Sequence, residues 1–422
     1  MGQQVVNFHN LSTEEKLYGL FNYLISVNAI QDFDIIHSPP DETFLFLYSC
    51  MLKTSTSKQQ VSGTGVSVYT REAALLKCLA EATERYSLCI NNETDIEYLN
   101  IVDKKINKSI CCDIRERSSL DVIPGWVKGY NLSQSKDAVI PAQLVYLDYQ
   151  PVKNEKYISQ PISTGAAFGD SHEDTLLRGI YELVERDAFL TIYLNQINAP
   201  LIRLSGFGGR SIRLLIKKIE RFNLEVKLFD IKNDLNIPAF LCVIIDKTGL
   251  GPSCALGLKA SLNHYEAISG AIEEALHIRL WVRGRMVKNQ FKGMAVSSKK
   301  IKNQEDRMMY WAPVHQLSKL GFLLNQKSVA MSFEHYAFSK EDELKDILTT
   351  LKKRGHDVYY VDTTLRSIKH MGAFTYKVII PTLQAFYMNE NFKKINNDRI
   401  NKVANYFNKK TISQNTAPHP FL

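Results

Sequence analysis

The chain has 422 residues, 45% of them hydrophobic and 23% charged, with a net charge of +8. It is long enough to bury a substantial core and exceeds the usual size of one domain, and its composition excludes a disordered or fibrous chain. The positive charge is spread over 52 basic residues, which suits an anionic ligand but gives only distant support to nucleic-acid binding. No apolar run reaches the ~18 residues that span a bilayer, and MGQQVVNFHNLSTEEK has no basic or apolar region of a secretory signal.

In chain order, Leu17 to Ile30 is periodic and apolar and predicts a helix. Ser38-Pro39-Pro40 is a break, Thr43 to Tyr48 reads as a strand, and Lys53 to Gln60 as a polar loop. Ser62-Gly63-Thr64-Gly65 reads as a turn, followed by an apolar helix to about Asn91. Ile123 to Tyr130 and Val139 to Leu147 carry strand signals, and a second long helix runs from Glu173 to about Leu194. Then come a basic amphipathic helix (Ile212 to Phe222), strands at Leu224–Phe229, Ala239–Ile245 and Gly251–Leu258, and a third long helix from His264 to Met286. Residues 287–330 look irregular and mostly helical. A late unit follows, with helix Lys340–Arg354 and strands Asp357–Val361 and Ala373–Ile380, and residues 391–422 form a polar helix and tail. Strands alternating with long helices predict a layered α/β or α+β fold.

Three stretches repeat one pattern. The first holds Gly65, Glu81, Glu84 and Arg85; the second Gly165, Glu182, Glu185 and Arg186; the third Gly257, Glu274, His277 and Arg279. The glycine precedes the first glutamate by 16, 17 and 17 positions. Helical residues three apart share a face, so each pair presents two polar groups to one place. The first two helices are too apolar to lie on the surface, and a buried carboxylate is costly unless it is paired or holds a metal. Hard cations such as Mg2+ suit such oxygen ligands. The competing reading is ion pairing, since Glu81–Arg85 and Glu182–Arg186 are both i,i+4 in the favourable order. The recurrence favours one shared site.

Other chemistries find little support. The seven cysteines include no CxxC pair and read as reduced thiols of a cytosolic protein. There is no P-loop, no GxSxG elbow and no HExxH. The tail Ala417-Pro418-His419-Pro420-Phe421-Leu422 is stiffened by two prolines, so it either frays or docks in a cleft.

The pattern from about residue 60 to 390, with the extreme tail, resembles the YcaO family. Its Ser-x-x-Glu-x-x-Glu-Arg box appears as Cys78 to Arg85. Its Gly-x-Ala-x-Gly-Asn turn and Glu-x-x-Glu-Arg-Asp-Ala box appear as Gly165 to Asp170 and Glu182 to Ala188, and its Glu-x-x-Gln-x-Arg box as Glu274 to Arg279. The resemblance implies an α+β, YcaO-type ATP-binding fold with pseudo-repeated sheet and helix units. Residues 1–60 would be an N-terminal extension, 61–390 the catalytic domain, and 391–422 a helix and tail reaching the active site. It implies Glu81, Glu84, Glu182 and Glu185 as Mg2+ ligands around ATP, and Ser62, Asp170, Asp174, Arg186, Glu274 and Arg279 as the lining of the nucleotide site. It implies catalytic roles for Pro418, Pro420, Leu422 and His277. Four positions depart from the family: Cys78 for serine, Thr64 for a common lysine, His277 for glutamine and Leu422 for the final proline.

The expected activity is an ATP- and Mg2+-dependent cyclodehydratase in a cytoplasmic pathway to an azole-modified, bacteriocin-type peptide. It would convert Cys, Ser or Thr of a ribosomal precursor peptide to thiazoline or oxazoline. A ThiF-like partner would deliver the peptide, an FMN-dependent dehydrogenase would be needed to make an azole, and a homodimer is compatible; neither nucleic acid nor membrane is expected. Removal of Pro418 to Leu422 is expected to cripple cyclisation with little effect on ATP binding. Thioamidation or amidine-ring formation on the same fold is the first alternative. A non-catalytic scaffold is the second, opposed by the intact glutamates, which a dead scaffold has no need to keep.

Overall fold

The computed structural model describes residues 8–54, 60–90, 93–96, 125–151, 155, 158–206, 209–288, 297–298, 301–333, 338–409 and 414–422. Helix α1 (Thr13–Ser26) starts on a capping box in which the Ser12 hydroxyl accepts from the Glu15 N–H and the Glu15 carboxylate accepts from the Ser12 N–H. It ends before the predicted Ile30, because Asn28 turns the chain with φ 52° and strand β1 (Ile30–Ile36) begins. Strands β2 (Phe46–Leu52) and β3 (Val61–Ser67) complete an antiparallel sheet in the order β1-β2-β3. Helix α2 (Arg71–Ser87) follows, capped by the Thr70 hydroxyl.

The turn predicted at Ser62 to Gly65 is therefore part of a strand. Its glycines serve the packing of β3 on α2. A Cβ at Gly65 would lie 2.0 Å from the Ala74 carbonyl oxygen, so any side chain there forces strand and helix apart. The same need recurs at Gly257, where a Cβ would stand 2.0 Å from the Ala271 carbonyl oxygen.

The remaining strands are β4 (Trp126–Asn131), β5 (Lys136–Pro141), β6 (Ala166–Gly169), β7 (Leu201–Leu204), β8 (Leu224–Asp230), β9 (Ala239–Asp246), β10 (Cys254–Ala260), β11 (Ser328–Met331), β12 (Tyr359–Asp362) and β13 (Phe374–Ile379). The long helices between them are α3 (His172–Asn195), α4 (Arg210–Glu220), α5 (His264–Lys288), α6 (Gln304–Trp311), α7 (Lys340–Lys353) and α8 (Asn397–Tyr406). Two five-stranded sheets result, β5-β4-β12-β13-β6 and β10-β9-β8-β7-β11. Every recorded pairing is antiparallel except β7 with β11.

The chain forms two compact units: residues 1–37, 46–183 and 338–382 in the first, and 38–45, 184–337 and 383–422 in the second. The division falls within α3, between Leu183 and Val184. The first unit holds the three-stranded sheet and the sheet ending in β6. Its core joins Leu20 and Leu24 of α1 to Cys50 of β2 and Cys78 and Leu79 of α2. The second unit is built on β9, which is buried along its whole length (AFLCVIID), as expected of a strand covered on both faces. Helix α4 buries Ile212, Leu215 and Ile219, the stripe its amphipathic pattern predicted. The five described cysteines are buried free thiols; Cys111 and Cys112 lie outside the described residues. Among the described residues, no helix is long and apolar enough to cross a membrane.

Candidate functional site

Each glutamate box lies on a helix that follows a sheet-edge strand. β3, β6 and β10 are each the last strand of their sheet, and an edge strand presents main-chain groups without a neighbouring strand. In each case the first glutamate of the box accepts a main-chain N–H from that strand or from the residue leading into it. Glu81 Oε2 accepts from the Thr64 N–H at 2.5 Å, Glu182 Oε2 from the Gly165 N–H at 2.9 Å, and Glu274 Oε2 from the Leu258 N–H at 2.5 Å. The repeat seen in the sequence is thus a repeat of strand-edge and helix geometry.

In the first unit, α2 seals β3 with side chains four residues apart. Lys77 donates to the Val66 carbonyl, Glu81 accepts from Thr64, and Arg85 donates to the Ser62 carbonyl. Glu81 also pairs with Arg85 at 2.6 Å, so the ion-pair reading of this box is realised. The expected site residue Ser62 contributes its carbonyl to this arrangement. Glu84 is half-buried one turn beyond Glu81. Burial, then the carboxylates of Glu182 and Glu81, push its carboxyl up to about 8, against the opposing pull of Arg85 and Lys377. Lys377 of β13 is buried, and burial draws its ammonium down to about 8 against Glu182 and Glu84. Sequence reading passed over Lys377; the available signal was a lone lysine in the apolar strand FTYKVI.

In the second unit, Glu185 is buried and accepts from the Ala260 N–H at 3.1 Å, on the same strand whose Leu258 N–H is held by Glu274. Arg186 faces both carboxylates, 3.9 Å from Glu185 and 3.8 Å from Glu274. Its other face stacks on the tail, with the guanidinium carbon 4.1 Å from the Phe421 ring centroid and 5.2 Å from that of Phe386. The tail is docked. Pro418 O accepts from the Tyr193 hydroxyl and the Trp311 indole, and His419 O accepts from Arg307 at 2.7 Å. His419 Nε2 donates to the Tyr387 carbonyl at 2.8 Å, and burial, then Arg307, holds the imidazole well below its usual range. Pro418 and Pro420 are buried, and Leu422 packs on Val282, Met286 and Met308. His277 is half-buried on α5, three residues after Glu274.

Three expected nucleotide contacts are already engaged. Asp170 faces His9 and Lys16 at 3.2 and 3.3 Å. Asp174 pairs with Arg178 at 2.6 Å. Arg279 is buried between Glu42, held by two hydrogen bonds, and Asp246 at 2.9 Å. Glu42 lies outside every motif read above, and its carboxylate is also reached by Arg283 at 2.6 Å.

A family model described as YcaO cyclodehydratase, ATP- and Mg2+-binding, matches residues 63–384. The chain belongs to the YcaO family. An uncharacterized protein of Methanothermobacter thermautotrophicus is 24% identical over 340 residues, which is 76% of this chain and 82% of the relative. A YcaO protein from Methanopyrus kandleri, solved bound with AMPPCP and Mg2+, matches the fold with a TM-score of 0.67 at 15% identity, over 91% of this chain and 94% of its own. A heterocyclase solved in complex with substrate and cofactor gives a TM-score of 0.75 at 19% identity, over 97% of this chain. This chain spans only 57% of that heterocyclase.

The donors of this YcaO chain fit a hard cation. Among the described residues no three His, Cys, Asp or Glu side chains form a ready metal cage. Mg2+ needs none, since it usually keeps waters and takes one or two carboxylates together with substrate phosphates. What the YcaO boxes provide is crowded anionic oxygen: Glu84 is held partly neutral by burial and by Glu182 and Glu81, and a divalent cation would relieve that repulsion. The sign of the pH effect follows. Glu84 has a folded value raised above the ordinary 4.5 to about 8, so its contribution to stability is whole below pH 4.5 and is lost as pH rises toward 8. Lys377, depressed from 10.5 to about 8, acts in the window above pH 8, where its contribution falls as pH falls. In EDTA, Glu84→Gln is therefore expected to exceed wild type in stability by about 2–4 kcal/mol at pH 8. The advantage should vanish toward pH 5; denaturant unfolding at the two pH values measures it, and an unchanged difference would remove the carboxylate crowding from the account.

Proposed function

We propose that this YcaO protein is an ATP- and Mg2+-dependent cyclodehydratase acting on Cys, Ser or Thr of a ribosomal precursor peptide. The observation that carries the reading is the retention of all four glutamates of the first two family boxes, with Glu84 under the charge of Glu182 and Glu81. Glu81, Glu84, Glu182 and Glu185 would hold Mg2+, and Arg186 and Glu274 would face the nucleotide. Mg2+, when bound, supplies charge neutralisation for a transferring phosphoryl group.

The protein's own groups then have defined tasks. Glu81, Glu182 and Glu274 are fixed by main-chain N–H groups, which orients their second oxygens before any ligand arrives. Arg186 is held over the Phe421 ring and can stabilise developing negative charge. On the peptide, the side-chain thiol or hydroxyl attacks the preceding amide carbonyl. The amide oxygen, a very poor leaving group, departs as phosphate after accepting the phosphoryl group of ATP. Asp170, Asp174 and Arg279 are proposed to line the nucleotide site, each held in place by a charged partner. Pro418, Pro420, Leu422 and His277 are proposed to shape the site through the docked tail and α5.

The fold likeness to a heterocyclase solved with substrate and cofactor favours a heterocyclase-type reaction, and we propose a separate peptide-delivering partner protein of the ThiF-like class. The test is incubation with ATP, Mg2+, a Cys-containing precursor and its partner, followed by mass spectrometry. Loss of one water per site is expected. Exchange of oxygen for sulfur would assign the chain to thioamidation instead, and no ATP turnover with any peptide would leave it a scaffold.

A further inference from the structure

One charged group in the first unit has no place in the proposal above. Lys377 sits in the middle of β13, 3% exposed and paired in register with Ala166 of β6. A buried ammonium is costly unless its donors are satisfied. Its Nζ donates to two main-chain carbonyls, Ile162 O and Thr164 O, each at 2.7 Å. Both belong to the segment that leads into Gly165, whose φ of +85° turns the chain into β6.

The Thr164 carbonyl and the Gly165 N–H are the two ends of one peptide group. In a trans peptide they point in opposite directions. The oxygen end receives Lys377, and the N–H end is given to Glu182 at 2.9 Å. Ammonium, peptide and carboxylate thus form a short relay. A peptide oxygen that accepts from a cation makes its N–H a stronger donor, and the next carbonyl, Gly165 O, is held by the Val378 N–H at 2.7 Å. The turn is pinned from the strand carrying the lysine, and Glu182 is pinned from the turn.

We propose that Lys377 is a positioning residue that fixes the Glu182 carboxylate for cation binding through the Thr164–Gly165 peptide. This rests on the reading of Glu182 as a Mg2+ ligand. Lys377 spends two donors on main-chain carbonyls and would act as the outer-shell partners of metal ligands do, whose loss typically weakens metal affinity about 10–100-fold.

The experiment is a Mn2+ titration of the full-length protein followed by electron paramagnetic resonance, with AMPPCP present, on wild type, Lys377→Met, Glu182→Gln and the double variant. Lys377→Met is expected to bind Mn2+ about tenfold or more weakly than wild type. In the Glu182→Gln background the same change should have less than a third of that effect, which a merely structural lysine would not show. Lys377→Gln keeps an N–H2 group for the carbonyls without the charge, and is expected to lose less than Lys377→Met. If Lys377→Met does not fold, Lys377→Gln carries the test, with a loss of about threefold or more expected. Wild-type affinity in the folded Lys377 variants, or equal losses in both backgrounds, overturns the role of Lys377 alone. Absence of Mn2+ binding by wild type overturns the metal reading, and this role with it.

Discussion

Glu185→Gln is expected to lower peptide-dependent phosphate release by about 10²–10³-fold or more, the scale of removing one preorganised charge from a reacting site, while leaving the protein folded. The substitution keeps the shape and one acceptor oxygen. The Ala260 N–H that Glu185 accepts at 3.1 Å can be accepted by the amide oxygen of glutamine, so the edge of β10 stays satisfied. What is lost is one negative charge beside Arg186 and one oxygen donor for a hard cation. Circular dichroism and thermal melts should match wild type within a few degrees, and a steady-state phosphate assay with the precursor peptide reads the loss. Wild-type turnover by this variant would remove Glu185 from the metal set.

Phe421→Ala is expected to destabilise the second unit by about 3–5 kcal/mol, the usual result of truncating a buried phenylalanine to alanine. Phe421 is fully buried and lies against Arg186, Phe189 and Phe386. The expectation that Pro418 to Leu422 could be removed with little effect on ATP binding is therefore revised. Deletion would take away the His419 carbonyl that accepts from the fully buried Arg307 and the Pro418 carbonyl that accepts from Tyr193 and Trp311. Arg307 would keep the Met388 carbonyl and Glu390 but lose one buried acceptor, at a cost of about 1–3 kcal/mol, so a truncated chain would confuse catalysis with folding. Urea unfolding of Phe421→Ala alongside Phe421→Leu separates the two. Phe421→Leu keeps most of the apolar volume and should recover much of the stability while lacking the aromatic face on Arg186. Equal stability of Phe421→Ala and wild type would mean that the tail is not part of the core.

The long helices and their paired glutamates were legible in the sequence because both depend on local spacing. Glu81 and Glu84, like Glu182 and Glu185, share a face wherever the chain is helical, and the apolar content of α2 and α3 marks them as buried. Ser62 to Gly65 was misread because glycine and serine favour turns locally, whereas here the glycines answer to Ala74 and Cys78 across a strand–helix contact. The partners of Asp170, His9 and Lys16, lie far away in sequence and leave no local trace. Lys377 stands out only as a lone lysine in an apolar strand, because its acceptors are main-chain oxygens more than two hundred positions upstream. The tail's docking was posed as one of two outcomes, and what decides it is the long-range set of Tyr193, Arg307 and Trp311.

The first glutamate of each box has a second employment. Glu81, Glu182 and Glu274 each satisfy a main-chain N–H at the edge of a sheet, a task that needs no ligand. A descendant that had abandoned catalysis would still need these three to keep its sheets from pairing with other chains. Their presence therefore serves architecture as well as the proposed metal site, and taken alone does not separate the two. The informative positions are the ones three residues later, Glu84 and Glu185. A search for inactive members of the lineage should ask what stands there, and should disregard the glutamates that a scaffold has its own reasons to retain.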